Sequence, residues 1–217
     1  MVNKEQIIQW LEAVATVLEQ NKDYLTELDA AIGDADHGIN MNRGFQKVLT
    51  QLPTIINKDI GSIFKTVSMT LISTVGGASG PLYGTLFLRA SVVVTGKLEL
   101  TSEDMAKVFA AAVEGVVQRG KAHLGDKTML DALSPAANSF TEAVANGSSF
   151  LDSLKQAVDA AESGMKNTIP MLAKKGRASY LGDRSVGHQD PGATSIYLTL
   201  KTLLDIVEKN GVAEIGV

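Results

Sequence analysis

Apolar residues recur at intervals of three and four along most of this 217-residue chain. At the start they fall at Ile7, Leu11, Val14 and Leu18, a spacing that lines one face of an α-helix. The same spacing, ended each time by Gly, Pro, Asn or Asp, predicts further helices over residues 40–52, 59–74, 82–95, 102–119, 128–145, 149–173 and 192–208. Alternating, strand-like runs are nearly absent, so we expect an all-α fold of eight helices.

Composition narrows the class of protein. Apolar residues make up 45% of the chain and aromatic residues 5%, a balance typical of helices packed through Ala, Leu and Val. The length favours one compact domain over residues 1–217. Because the chain has no cysteine, disulfides, thiolate zinc sites and a cysteine nucleophile are all excluded.

Charge and hydropathy patterning exclude two kinds of partner. A formal net charge of −4 argues against electrostatically driven binding to nucleic acid or to an anionic membrane. The N-terminal segment mixes charged and apolar residues, unlike a signal peptide, and no window resembles a membrane span. We therefore expect a cytoplasmic protein.

The run LDAAIGDADHGIN brings Asp29, Asp34 and Asp36 close together in sequence. One continuous helix would rotate them by about 140° and about 200°, so the carboxylates are expected to converge on a loop bracketed by glycines. Oxygen ligands select Mg²⁺, Mn²⁺ or Ca²⁺, and the segment lacks the Gly and Glu of an EF-hand loop. Magnesium beside phosphate is the favoured prediction. The alternative is that these aspartates cap the helix that begins near Ile39 and are otherwise solvated.

A second glycine-rich segment, VGGASGPLYG at residues 75–84, lies between two predicted helices. Its backbone N–H groups and the Ser79 hydroxyl could hold an anion, although a close helix crossing would explain the glycines equally well. A near match to a P-loop over residues 115–121 is rejected, because it lies in a predicted helix and Ala122 replaces the required Ser or Thr.

The third glycine-rich segment, residues 176–192, is longer than a helix connection needs, which favours a functional role. Arg177 is its best phosphate ligand, since a guanidinium fork can bind two oxygens, whereas Lys174 and Lys175 suit a helix C-terminus. The turn Asp190-Pro191-Gly192 starts the last predicted helix and could simply cap it.

Histidine adds further alternatives at the acidic segment. His37 follows Asp36 and could ligate a metal, donate to phosphate or accept a phosphoryl group. We assign no role to His123.

Five motifs in order, GDADHG, NMNRG, TVGGASGPLYG, RGKAHLGDKTM and KGRASYLGDRSVGHQDPGATS, resemble the nucleotide-binding L subunits of bacterial dihydroxyacetone kinases. The resemblance spans nearly the whole chain and implies a barrel of eight antiparallel amphipathic helices with the nucleotide at one rim. It also implies that Asp29, Asp34 and Asp36 ligate two Mg²⁺ ions. The nucleotide contacts implied by the same resemblance are His37, Gly38, Ile39, Asn40, Ala78, Ser79, Gly120, Met129, Arg177, Asp190, Pro191 and Gly192.

Two types of dihydroxyacetone kinase share these motifs. In the ATP-dependent type, the substrate-binding and nucleotide-binding domains stand in one chain, whereas in the phosphotransferase-system type they are separate subunits. This chain has room for the nucleotide-binding part alone. The resemblance therefore favours the phosphotransferase-system type, built from three subunits and active only when they combine. Retained ADP would receive a phosphoryl group from a phosphohistidine on the M subunit and pass it to dihydroxyacetone on the K subunit. We assign no catalytic residue to this chain.

Three alternatives stay open at this point. The chain could be the nucleotide-binding half of an ATP-dependent dihydroxyacetone kinase, with freely exchanging ATP. It could be a phosphohistidine carrier that uses His37. Binding to a transcription activator could also accompany catalysis.

Overall fold

A computed structural model describes the backbone of residues 1–213 and the side chains up to residue 210, so residues 214–217 of the expected domain lie outside the described range. The described part is almost entirely helical. Its α-helices are α1 (Lys4–Gln20), α2 (Lys22–Ile32), α3 (His37–Ile55), α4 (Ile60–Thr74), α5 (Ser79–Val93), α6 (Ser102–Gly120), α7 (Leu130–Ala145), α8 (Phe150–Asn167) and α9 (Pro191–Ala213). A 3₁₀ segment covers Arg177–Ser185, and the two-residue strands β1 (Val2–Asn3) and β2 (Glu99–Leu100) pair antiparallel.

Eight of these helices form a closed ring. Helix α1 packs on α3, each helix from α3 to α9 packs on the next, and α9 returns to α1. Neighbouring helices of the ring run antiparallel, although the connection between α8 and α9 is as long as residues 168–190. Helix α2 stays outside the ring and packs against α3, α9 and the 3₁₀ segment at one rim. The predicted eight-helix, all-α barrel is therefore confirmed.

The inward faces of the ring share one hydrophobic core. Trp10 of α1 packs against the rings of Phe64 and Phe87, with ring centroids 6.2 and 6.0 Å away. Its indole Nε1 also donates to the Thr199 carbonyl of α9 at 2.9 Å. A buried indole needs a polar partner, and this one links the first helix of the ring to the last.

The rim that carries the β1–β2 ladder has regular helix caps. Asn3, Asp59, Thr101 and Ser149 precede α1, α4, α6 and α8, and each side chain accepts a backbone N–H from the first turn of its helix. Such caps satisfy N–H groups that have no partner within the helix. This rim is therefore stabilised by the chain's own side chains.

The sequence prediction missed one helix and extended another. Helix α2 has only three buried residues, Leu25, Asp29 and Ile32, so its apolar stripe is too weak to register as periodicity. Helix α8 ends at Asn167 instead of residue 173. Pro170 explains the earlier end, because a proline disfavours helical backbone at the residue before it. Within residues 1–213, no helix combines the length and the apolar character that crossing a bilayer requires.

We expect Trp10→Phe to lower the free energy of unfolding by about 1–2 kcal/mol, because it removes the indole donor and some buried area while keeping an aromatic ring. Denaturant unfolding followed by circular dichroism would measure the change. Met69→Leu on α4, where the side chain is 59% exposed, serves as a control with little expected effect. Equal stability of Trp10→Phe and the wild type would contradict a closing role for this bond.

Candidate functional site

A cleft opens at the rim opposite the β1–β2 ladder. Helices α3, α5, α7 and α9 all begin there, and its lining includes His37, Ser79, Met129 and Pro191 from those four helix starts. Aligned peptide dipoles give a helix N-terminus a partial positive charge, and its first N–H groups point outward. Four such ends around one cleft favour an anionic ligand.

Three of these helix starts lack the caps found at the other rim. Asp36, Ala78 and Met129 hold the N-cap positions of α3, α5 and α7, and none makes a side-chain capping bond. Helix α9 is the exception, since Ala193 N donates to Asp190 Oδ2 at 2.7 Å. At α3 and α5, backbone donors are therefore left for water or for a ligand. At α7, the N–H groups of Leu130, Asp131 and Ala132 already bond to Thr128 and Met129.

The acidic residues gather at the edge of the cleft. Asp29 lies in the last turn of α2, Asp34 in the following turn, and Asp36 directly before α3. One ligand oxygen from each lies within 4.8 Å of the others. The expectation that all three stand on a loop was wrong for Asp29, which belongs to the helix that the sequence prediction missed.

Asp29 also organises the turn that brings the other two aspartates back. Its Oδ2 accepts the backbone N–H of Asp36 at 2.8 Å and of His37 at 3.1 Å. The chain reverses at Ala35, whose φ of 59° lies in the left-handed region. Strained backbone of this kind is common at ligand sites.

The donor set fits a hard divalent cation. Three carboxylates converge without thiolate or imidazole ligands, and such oxygen-only sets suit Mg²⁺, Mn²⁺ or Ca²⁺. Arg177 reaches the same cluster, with Nε 3.1 Å from Asp34 Oδ1. A metal and a phosphate-binding arginine would thus lie side by side.

His37 is buried beneath the cleft in a chain of hydrogen bonds. Its Nδ1 lies 3.0 Å from Ser79 Oγ and its Nε2 lies 2.9 Å from Ser195 Oγ, which in turn lies 2.7 Å from the Tyr83 hydroxyl. Burial lowers the pKa of His37 to about 4, although Asp29 and Asp36 oppose the shift. The imidazole is therefore neutral near pH 7, with both ring nitrogens engaged.

Asp190 lies at the back of the cleft. Burial raises the pKa of its carboxyl to about 7; the N–H of Ala193 opposes this shift, the charge of Asp131 adds to it, and the Lys127 ammonium opposes it. Asp131 itself is occupied, accepting from Gly125 N at 2.5 Å and Thr128 N at 2.7 Å. A buried acid and a buried ammonium therefore lie near each other.

The cleft has an acidic part and an apolar part. The acidic part, of about 180 Å³, contains the aspartate cluster. An adjoining cavity of about 410 Å³ is lined on its apolar side by Pro81, Leu82, Val116, Ala122 and Met129. The two share lining residues from the α5 and α7 starts and from the loop before Arg177. This shape suits a ligand with a charged end and a flat apolar end.

Most of the predicted site residues meet at this cleft. The acidic part is lined by Asp29, Asp34, Asp36, His37, Ala78, Ser79, Met129, Arg177, Asp190, Pro191 and Gly192. Gly120 lines the adjoining cavity.

The rest of the first turn of α3 does not line the cleft. Gly38 packs against α2, Ile39 is 49% exposed, and buried Asn40 accepts from Arg43 through Oδ1 at 2.7 Å. Contact of these three residues with a nucleotide stays a prediction from the sequence.

Sequence reasoning missed several lining residues, among them Tyr83, Lys127 and Thr128. It assigned Lys175 to a helix C-terminus, which was wrong, since α8 ends at Asn167 and Lys175 lines the cleft. Lys127 and Thr128 stand in the motif GDKTM, but nothing in the local pattern reveals that this lysine is buried. Tyr83 reads as an ordinary core residue of α5. Only the assembled ring brings these side chains to the cleft.

Comparisons with known proteins identify relatives that match most of the chain. The DAK2 domain family model matches residues 31–205. The PEP-dependent dihydroxyacetone kinase ADP-binding subunit DhaL of Escherichia coli (strain K12) is 48% identical over 93% of this chain and 96% of its own length. The PTS-dependent dihydroxyacetone kinase ADP-binding subunit DhaL of Lactococcus lactis subsp. lactis is 41% identical over 95% of this chain and 100% of its own length.

A solved structure shares the fold. The dihydroxyacetone kinase from C. freundii in complex with AMP-PNP and Mg²⁺ superposes with a TM-score of 0.68 at 26% identity, covering 91% of this chain. The chain spans about a third, 33%, of that longer kinase.

We expect Asp190→Asn to change how stability depends on pH. The pKa of this carboxyl is at its ordinary 3.8 when the chain is unfolded, and burial raises the pKa to about 7 when the chain is folded. Between these values the unfolded chain has lost the proton that the folded chain keeps, so this group lowers stability as pH rises. Asn keeps an oxygen that can cap α9 but does not titrate.

Denaturant unfolding of metal-free protein at several pH values from 4 to 7 would measure this effect. The variant should gain stability relative to the wild type as pH rises. Parallel stability profiles for the two proteins would contradict the shifted pKa.

Proposed function

This chain belongs to the DAK2 domain family, and from that membership we propose that it is the ADP-binding subunit of a phosphoenolpyruvate-dependent dihydroxyacetone kinase. It works as a phosphotransferase subunit and completes its activity only with partner subunits. The phosphoryl group travels on the bound nucleotide from a phosphohistidine of the donor subunit to dihydroxyacetone held by another subunit.

The two-part cleft is the observation that carries this proposal. Its acidic part combines three carboxylates, Arg177 and uncapped helix starts, which suits a metal-bound diphosphate. Its apolar part is lined mostly by apolar side chains, with Arg119 and Lys175 as the charged members of the lining, and suits a purine base. A nucleoside diphosphate has both features in one molecule.

The aspartate cluster would hold the metal. Proteins usually bind one Mg²⁺ through one or two carboxylates together with waters and phosphates, so three converging carboxylates support the proposed pair of ions. Bound there, Mg²⁺ would offset the charge that develops on phosphoryl oxygens during transfer. Arg177, whose Nε lies 3.1 Å from Asp34 Oδ1, would add a fixed positive charge beside the metal.

The environment of His37 argues against a phosphohistidine carrier. Both ring nitrogens have hydroxyl partners, and the residue is only 7% exposed. A histidine that accepts a phosphoryl group must present a free nitrogen lone pair to its donor. We propose that His37 instead orients Ser79 at the start of α5.

The chain's own residues offer no suitable general base among those described around the cleft. His37 is engaged on both nitrogens, and Asp190 caps α9. We therefore propose that the K subunit activates the attacking hydroxyl of dihydroxyacetone. The M subunit would supply the phosphohistidine.

We propose three further properties of this protein, which concern its domain, its location and a further partner. Residues 1–217 form one nucleotide-binding domain, supported by the closed ring of α1 and α3 to α9. The location is the cytoplasm, the compartment that the three-subunit system implies. A transcription activator as a further partner rests on the resemblance alone.

We expect protein purified without added nucleotide to carry stoichiometric ADP, because a retained coenzyme dissociates slowly. Chromatography of the supernatant after acid denaturation would measure it. Empty protein that turns over on added ATP with the K subunit would favour the ATP-dependent alternative. Phosphoryl label on His37, found by mass spectrometry after incubation with the phosphorylated donor, would favour the carrier alternative.

We expect Asp34→Ala to weaken Mg²⁺ and ADP binding by at least about 100-fold, the upper range for loss of a metal-site partner. Helicity should not change, since Asp34 lies in a turn and not in the core. Calorimetric titration and circular dichroism would measure the two effects. Asp23→Ala on α2, where the side chain is 94% exposed, is the matched control. Equal ADP affinity in the two variants would refute the metal assignment.

A further inference from the structure

Lys127 is a buried cation that the proposed mechanism does not use. Its side chain is only 1% exposed, and it lies in the connection between α6 and α7. Its backbone φ of 63° is in the left-handed region, which side chains other than glycine rarely adopt. A buried charge on a strained backbone persists only where the surroundings hold both in place.

The Lys127 ammonium joins two distant points of one loop. Its Nζ donates to the Met171 carbonyl at 3.1 Å and to the Ser185 carbonyl at 2.5 Å. These residues stand near the two ends of residues 169–187, here called the Arg177 loop. A single side chain from the α6–α7 connection thus binds both ends of the loop.

Backbone bonds draw the same two ends together. Gly187 N donates to the Ile169 carbonyl at 2.8 Å, and Ala173 N donates to Ser185 Oγ at 2.9 Å. Arg177 and Lys175, both of which line the cleft, lie between these closing points. The loop is therefore closed at its base while its middle faces the ligand site.

The backbone around Lys127 is held in place by Asp131. The carboxylate of Asp131 accepts the N–H groups of Gly125 and Thr128 on either side of the lysine. Burial lowers the pKa of Lys127, and the nearby carboxyl of Asp190 opposes the shift. The turn holds the Lys127 ammonium close to the loop carbonyls, so little conformational entropy is lost when these hydrogen bonds form.

We propose that Lys127 is a positioning residue that clamps the base of the Arg177 loop and so holds Arg177 at the phosphate end of the cleft. The effect on nucleotide rests on the proposed function. The clamp itself can be tested without nucleotide. Lys127 acts on the ligand through Arg177, whose Nε lies 3.1 Å from Asp34 in this structure.

Amide hydrogen exchange in the nucleotide-free protein tests the clamp directly. Lys127→Met keeps an unbranched apolar side chain and removes its donors, so exchange at Ala173 and Gly187 should rise about tenfold. Exchange in the core helices α4 and α5 should stay unchanged. Lys107→Met, an exposed lysine on α6, is the matched control and should leave both regions unchanged.

Two exchange results would overturn the proposal. One is unchanged exchange in the loop, and the other is an equal rise in the loop and in the core helices, which would indicate a general loss of stability. Lys127→Gln is the milder second variant if Lys127→Met fails to fold. It must raise loop exchange selectively as well, and unchanged exchange there would also overturn the clamp.

A double-mutant cycle tests whether Lys127 acts through Arg177. Lys127→Met and Arg177→Ala should each speed ADP release about tenfold, and the double variant should release ADP no faster than Arg177→Ala alone. Stopped-flow displacement of a fluorescent ADP analogue would measure the rates. Additive effects would overturn the positioning role, because they would indicate direct contact with nucleotide or a separate structural effect.

The two experiments separate failure of this proposal from failure of the proposed function. If the wild-type chain and all variants bind no ADP, the nucleotide assignment is wrong. Loop exchange would still decide whether Lys127 clamps the Arg177 loop.

Discussion

Closure of the helix ring is the constraint on which the rest of the structure depends. Once α9 packs on α1, with Trp10 bonded to the Thr199 carbonyl, the direction of every helix in the ring is set by its place in the order. Alternate helices must then start at the same rim. The meeting of α3, α5, α7 and α9 at the cleft is therefore a result of topology, and their combined dipoles come with it.

Much of this architecture could be predicted from the sequence alone, because the buried face of an amphipathic helix appears as apolar residues at intervals of three and four. All eight ring helices show this spacing. Helix α2 does not, since it buries only three residues, and missing it led to the wrong assignment of Asp29 to a loop. The three aspartates were nevertheless recognisable as a group, because they are close in sequence and because Gly33 and Gly38 flank Asp34 and Asp36.

Lys127 and Ser195 show the opposite case. Each depends on partners far away in sequence: Lys127 on Met171 and Ser185, and Ser195 on His37 and Tyr83. No local spacing encodes such contacts, since a buried lysine and a solvated one look alike in a string of letters. Sequence reasoning therefore found most of the residues that face the ligand, but it did not find the buried residues that hold them in position.

The two rims differ in how their helix starts are capped, and this difference makes the stability of the fold depend on ligand binding. At the β1–β2 rim, the chain satisfies its own helix starts whether or not a ligand is present. At the other rim, donors at the starts of α3 and α5 that no N-cap side chain satisfies find their strongest partners in a bound anion. By mass action, the midpoint temperature of thermal unfolding then rises with the free ligand concentration. The same protein therefore unfolds at a higher temperature in a ligand-rich cell than in a dilute buffer.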